Sequence, residues 1–183
     1  MKLISANPQA HVSGLEELHG KSNYFIGSNP KKWHTNIPNY AKVKYEEIYP
    51  GIDLVYYGGQ RQLEYDFVVA PGANPKDIQL GFEGATKIKV NADGDLVLGM
   101  VKGEEIIFHK PVVYQQTAGV GKRQFIEGRY VIKGKNQVRF ELARYDTGKL
   151  LVIDPILPTP HTSVAAMMMK PMASLLTPRA MHT

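Results

Sequence analysis

Leu63-Glu64-Tyr65-Asp66-Phe67-Val68-Val69 decides the fold. Leu63, Tyr65, Phe67 and Val69 occupy alternate positions, with Glu64 and Asp66 between them. Successive side chains of a strand point to opposite faces, so this pattern predicts a half-buried strand, apolar inward and polar outward. Burial on one face favours antiparallel over parallel sheets.

The same reading extends outward. Gly58-Gly59 links this run to residues 52–57, and two more runs repeat the alternation: Ile78, Leu80 and Phe82, then Val138, Phe140 and Leu142. Asn91-Ala92-Asp93-Gly94, Lys102-Gly103 and Gly134-Lys135-Asn136 separate further short runs. Gly and Asn accept the positive φ that tight hairpins demand, and strands at such spacing predict a sandwich or barrel. The first 50 residues look less regular. Pro8, Pro30, Pro38 and Pro50 interrupt them, Gly14-Leu15-Glu16-Glu17-Leu18 suggests a single helical turn, and Trp33, Tyr24, Phe25 and Tyr40 are expected to pin the segment onto the sheets. The expectation is therefore an all-β, antiparallel β-sandwich-like domain over residues 1–157, with an irregular N-terminal segment and a disordered tail over 158–183.

Composition narrows the function. The net charge is +5, of which Lys170 and Arg179 supply +2. The basic residues are scattered rather than gathered in the stripe that nucleic acid requires, so no nucleic-acid partner is expected. There is no Cys, which excludes disulfides and thiolate metal sites. Residues 1–8 are too short and polar for a signal-peptide core, and the apolar run 164–169 is far below the ~20 residues that span a bilayer. As written, the chain is expected to lack a signal peptide, to insert in no membrane and to stay in the cytoplasm; its oligomeric state is not indicated.

Several motifs dissolve on inspection. Ala118-Gly119-Val120-Gly121-Lys122-Arg123 resembles a phosphate loop, but Gln116 and Arg123 stand where Gly and Ser or Thr are needed. Asn91-Ala92-Asp93-Gly94-Asp95 resembles the start of a calcium loop without its closing Glu. The six His, at 11, 19, 34, 109, 161 and 182, are not spaced as metal ligands, and His109 reads as a structural or solvent-facing residue at a strand end. Asp53 and Asp154 read as acceptors for backbone amides in turns. Glu64 and Asp66 share a strand face, about 7 Å apart. Paired carboxylates serve glycoside hydrolysis, but a solvated face gives the same alternation. No catalytic, cofactor or metal residue is expected.

Five blocks carry a resemblance: Gly20-Lys21-Ser22-Asn23-Tyr24-Phe25-Ile26-Gly27 with Trp33-His34-Thr35-Asn36-Ile37-Pro38-Asn39-Tyr40; Tyr49-Pro50-Gly51-Ile52-Asp53-Leu54-Val55-Tyr56-Tyr57-Gly58; Leu63 through Ala73; Lys110-Pro111-Val112-Val113-Tyr114-Gln115; and Leu151-Val152-Ile153-Asp154-Pro155. Over residues 1–157 the chain resembles the DUF7948-type domain at the front of bacterial surface proteins that carry seven-bladed β-propeller (SBBP) repeats. The resemblance implies a secreted or cell-envelope parent, no known catalytic residues, and a domain truncated at both ends, with Met1 inside it and the upstream strands and signal peptide missing here. It implies a non-catalytic module whose partners are the propeller repeats or other surface proteins. The alternative is a carbohydrate-binding module, with Trp33, Tyr56 and Tyr57 as stacking rings exposed on one face. A hydrolase would need Glu64 and Asp66 in a cleft.

The tail follows different statistics. Residues 158–183 hold five of the seven Met and no Gly, Asp, Glu, Tyr or Phe. Met167-Met168-Met169-Lys170 must be encoded ATG-ATG-ATG-AAR, which reads Asp-Asp-Glu from each third base. The whole shifted frame can read Tyr-Ser-Thr-Tyr-Leu-Gly-Gly-Ser-Asp-Asp-Asp-Glu-Ala-Tyr-Gly-Ile-Ala-Val-Asp, which resembles a propeller repeat. A frame slip near Leu157 would explain the tail. Sequencing the gene is expected to find that repeat in an open second frame; a frame closed by stops, or lacking the repeat, removes the explanation.

Overall fold

The computed structural model describes residues 1–59, 62–101, 103–116 and 122–155. The expectations of a disordered, frame-derived tail and of a hairpin loop over 118–121 fall outside the described residues, as does Lys102. The strands in chain order are β1 (Lys2–Leu3), β2 (His11–Tyr24), β3 (His34–Tyr49), β4 (Ile52–Gly59), β5 (Gln62–Val69), β6 (Gln79–Gly81) and β7 (Ala85–Val90). They continue with β8 (Leu96–Met100), β9 (Glu105–Phe108), β10 (Val112–Gln116), β11 (Arg123–Ile126), β12 (Gly128–Lys133), β13 (Gln137–Leu142) and β14 (Leu151–Asp154).

All the described pairings are antiparallel. They build a seven-stranded sheet, β11-β10-β14-β5-β4-β3-β2, a four-stranded sheet, β1-β6-β13-β12, and a three-stranded sheet, β7-β8-β9. The all-β, antiparallel expectation holds, with a third small sheet beyond the two expected. Gly94 and Gly134 take φ of 88° and 63° in the turns assigned to them, where a Cβ would be strained.

The alternation read from the sequence selects the core. Tyr65, Phe67 and Val69 of β5 point inward with Ile52 and Leu54 of β4 and Leu151 and Ile153 of β14. Leu80 of β6 and Val138 and Phe140 of β13 face them from the four-stranded sheet. The rings of Phe67 and Phe140 meet across the two sheets at 6.0 Å, and Phe67 also meets Tyr65 edge-on at 5.8 Å. Leu63, expected on this inner face, is exposed instead, because it sits opposite Gly58 at the hairpin end. Phe82 and Phe108, 5.4 Å apart, seat the three-stranded sheet on the same core. The Tyr49 hydroxyl donates to the Ile4 and Gln79 carbonyls, at 3.0 and 3.3 Å, tying the N-terminus to the four-stranded sheet.

The first 50 residues depart from expectation. They form the two longest strands, β2 and β3, in one hairpin. The pairing slips between Glu17 and Lys21 and again between Ser22 and Tyr24, and β3 slips against β4 between Tyr45 and Tyr49. Each slip moves side chains to the other face and erases the period-2 signal. Residues 14–18 are strand rather than helical turn, with Glu16 at φ 57° and its carboxylate 2.6 Å from Lys42 on β3. Pro38 is tolerated inside β3 because it pairs only with Lys21 of β2, while β4 joins β3 from Lys42 onward. Tyr24, Phe25, Trp33 and Tyr40 are exposed and do not pin the segment to the sheets; the Tyr40 ring instead covers Gly14 so closely that no Cβ fits there.

Phe67, fully buried, and Phe125, 68% exposed, make a matched pair of substitutions. Phe67→Ala is expected to lower the unfolding free energy by about 3–5 kcal/mol. Phe125→Ala should stay within about 0.5 kcal/mol of the parent. Urea denaturation followed by far-ultraviolet circular dichroism measures both.

Candidate functional site

Because Tyr65, Phe67 and Val69 turn inward, Glu64, Asp66 and Val68 project from the outer face of the seven-stranded sheet. Register fills in the surroundings. Tyr57 of β4 lies opposite Glu64, and its hydroxyl donates to Asp66 Oδ1 at 3.1 Å. Ile153 pairs with Phe67, so the next residue of β14, Asp154, lies beside Asp66. β10 and β11 add Tyr114 and Phe125, paired in register, with the Arg123 guanidinium 4.2 Å over the Tyr114 ring. Lys42 sits 5.9 Å over the Tyr57 ring.

Three carboxylates thus share a half-buried patch. Burial, then the charges of Asp154 and Glu64, push Asp66 up to about 6, while the Tyr57 hydrogen bond and Arg123 pull the other way. Asp154 is raised by burial and by Glu64, with Arg123 opposing. Tyr57 is raised by burial first and by Asp66 second, so it stays a donor at neutral pH. The arrangement can take up a proton, and the Asp66 carboxylate can accept hydrogen bonds from a polar partner. No group of three or more metal-ligating side chains occurs among the described residues.

Sequence reasoning named three rings for one surface, and they lie in three places. Trp33 is at the β2–β3 turn, its Nε1 donating to the Gly27 carbonyl at 3.0 Å and its ring 5.2 Å from Phe25. Tyr56 packs inward between Tyr45 and Tyr65. Tyr57, its sequence neighbour, is on the outer face. Glu64 and Asp66 share a face as expected. Asp154, Tyr114 and Arg123 were not foreseen as their neighbours, since β14 and the β10–β11 hairpin reach this patch only through long-range pairing. Asp53 does accept the Glu47 amide, at 2.8 Å, and also pairs with Lys44 at 3.0 Å. Asp154 accepts no backbone hydrogen bond among the described residues, contrary to expectation. Asn91 and Asp95 spend their oxygens on the backbone amides of Asp93, Asp95 and Lys110, as a turn requires. His109 is 3.6 Å from Asp95 at the end of β9.

The family model described as Domain of unknown function (DUF7948) matches residues 1–156. No curated protein matches the chain, and no solved structure does.

A carboxyl whose pKa is raised on folding binds its proton more tightly in the native state, so stability falls as pH rises through the interval between the two values. For Asp66 that interval runs from 3.8 to about 6. Stability is expected to decline across it in the parent and less steeply in Asp66→Asn, which keeps an acceptor for Tyr57. Urea midpoints measured at several pH values check this. Tyr57→Phe should raise the Asp66 pKa further, read by carboxyl NMR titration.

Proposed function

The chain belongs to the DUF7948 family, and from that premise we propose that it is a non-catalytic interaction module of a secreted or cell-surface protein, docking on β-propeller repeats. The observation that carries this reading is the β2–β3 hairpin. Among the described residues it continues beyond the Lys42–Tyr57 pair as two strands alone, and β2 is an edge of the sheet. Its turn exposes Phe25 at 62%, Ile26 at 73% and Trp33 at 37%. Clustered apolar side chains at a protruding tip mark a contact surface, and an edge strand can extend a neighbouring sheet. Propeller repeats, with sheet ends that need covering, offer such a partner.

A carbohydrate-binding role is the second reading. Tyr57 beside Glu64 and Asp66 favours it, since sugars take an aromatic face next to carboxylate acceptors. The inward packing of Tyr56 weighs against the three-ring version.

One experiment separates the two. Purified protein is offered to recombinant propeller repeats by calorimetry and to a glycan array. We expect repeat binding that weakens by about 2 kcal/mol or more in Phe25→Ser/Trp33→Ser, the size of an interface hot spot. Circular dichroism should show the variant folded. Glycan binding lost in Tyr57→Ala, with no affinity for repeats, would replace the first reading with the second.

A further inference from the structure

The outer face of the four-stranded sheet has the opposite chemistry from the carboxylate patch. Val138 and Phe140 of β13 turn into the core, so Arg139 turns out, paired in register with Val131 of β12 and Gln79 of β6. A pocket of about 290 Å³ opens there, lined by Lys76, Val131, Lys133, Arg139, Phe140 and Glu141. Lys133 ends β12, and Lys76 belongs to the 3-10 turn Pro75–Asp77 that leads into β6.

Three cations therefore line one pocket, and none of them has an ion-pair partner among the described residues. The nearby carboxylates, Glu141 of the lining among them, have other partners. Glu141 takes both the Nε and Nη2 of Arg129, at 2.9 and 2.7 Å, and Asp77 accepts from Asn74 at 3.2 Å. The second observation is independent of charge. Arg139 Nε is buried and has no hydrogen-bond partner among the described residues. Buried donors are nearly always paired, and a charged donor without an acceptor is the costlier kind to bury. Exposed lysines alone are ordinary solvated surface, whereas these two share a pocket with an arginine whose buried Nε lacks an acceptor among the described residues.

We propose that this pocket binds a tetrahedral oxyanion, a phosphate or sulfate group, with Arg139 as the central donor and Lys76 and Lys133 as flanking charges. The planar guanidinium matches two oxygens of such a group, and ammonium groups satisfy the remaining oxygens as point charges. Val131 supplies an apolar wall that strengthens the attraction by excluding water. The free ion and an esterified group on a glycan or other polymer share this chemistry.

Calorimetric titration of the full chain with inorganic phosphate, inorganic sulfate and a sulfated polysaccharide, each against sodium chloride of equal ionic strength, tests the proposal. Saturable binding is expected, at least about tenfold weaker in Arg139→Gln, the size of one lost charge-assisted hydrogen bond. The general stabilising action of sulfate on proteins is common to parent and variant and cancels in that comparison. Lys76→Gln/Lys133→Gln changes only exposed side chains and supplies the test if Arg139→Gln does not fold. Binding of the inorganic ions identifies a free-ion site, and binding of the polymer alone identifies an ester group; both require the loss in the variants. No saturable binding of any of the three, or equal binding by parent and variants, overturns the proposal.

Discussion

The seven-stranded sheet depends on β14. It pairs with β5 through Leu151, Val152 and Ile153 on one side and with β10 on the other. Without it, the β2–β5 meander and the β10–β11 hairpin would be separate pieces, each with an unpaired edge. Leu151 and Ile153 are fully buried against Phe67 and its neighbours, so the ladder closes together with the core. Loop-closure entropy grows only slowly with length, which lets burial of this kind offset a long-range pairing.

A buried polar side chain guides that closure. Gln115 is 1% exposed, yet all its bonds go to the loop that delivers β14. Its Nε2 donates to the Asp146 and Lys149 carbonyls at 2.8 and 3.3 Å, and its Oε1 accepts the Asp146 amide at 3.0 Å. A satisfied buried amide costs little, whereas a shifted loop would strand it without partners. Placement of β14 is therefore selective as well as favourable. The same placement brings Asp154 beside Asp66, so a strand pairing that stabilises the sheet also creates the like-charge patch on its outer face. Tyr57 and Arg123 partly relieve it.

The two outer faces consequently differ in chemistry. One gathers Glu64, Asp66 and Asp154 with tyrosines, and the other gathers Lys76, Lys133 and Arg139 around a pocket. Between them the core is a continuous aromatic and aliphatic layer, and the β2–β3 arm stands clear of both. Each of these surfaces follows from strand parity, because a residue not turned inward is turned to one defined face.

Much of this could be read along the chain. The alternation at 63–69, 78–82 and 137–142, with Gly94 and Gly134 between runs, established the sheets, their antiparallel sense and most of the core. Reading faltered where the backbone slips. The bulges at Glu17–Lys21 and Tyr45–Tyr49 hid two long strands, and the hairpin end left Leu63 exposed. For the surfaces, parity placed Glu64 and Asp66 together and should have separated Tyr56 from Tyr57. It was silent on Asp154, Arg123 and Arg139. Local pattern determines which way a side chain faces within its own strand, since that depends only on backbone geometry. Which strands become neighbours, and so which charges meet, was decided by tertiary pairing between distant segments, where burial of Phe67, Phe140 and Ile153 outweighs the repulsion it imposes outside.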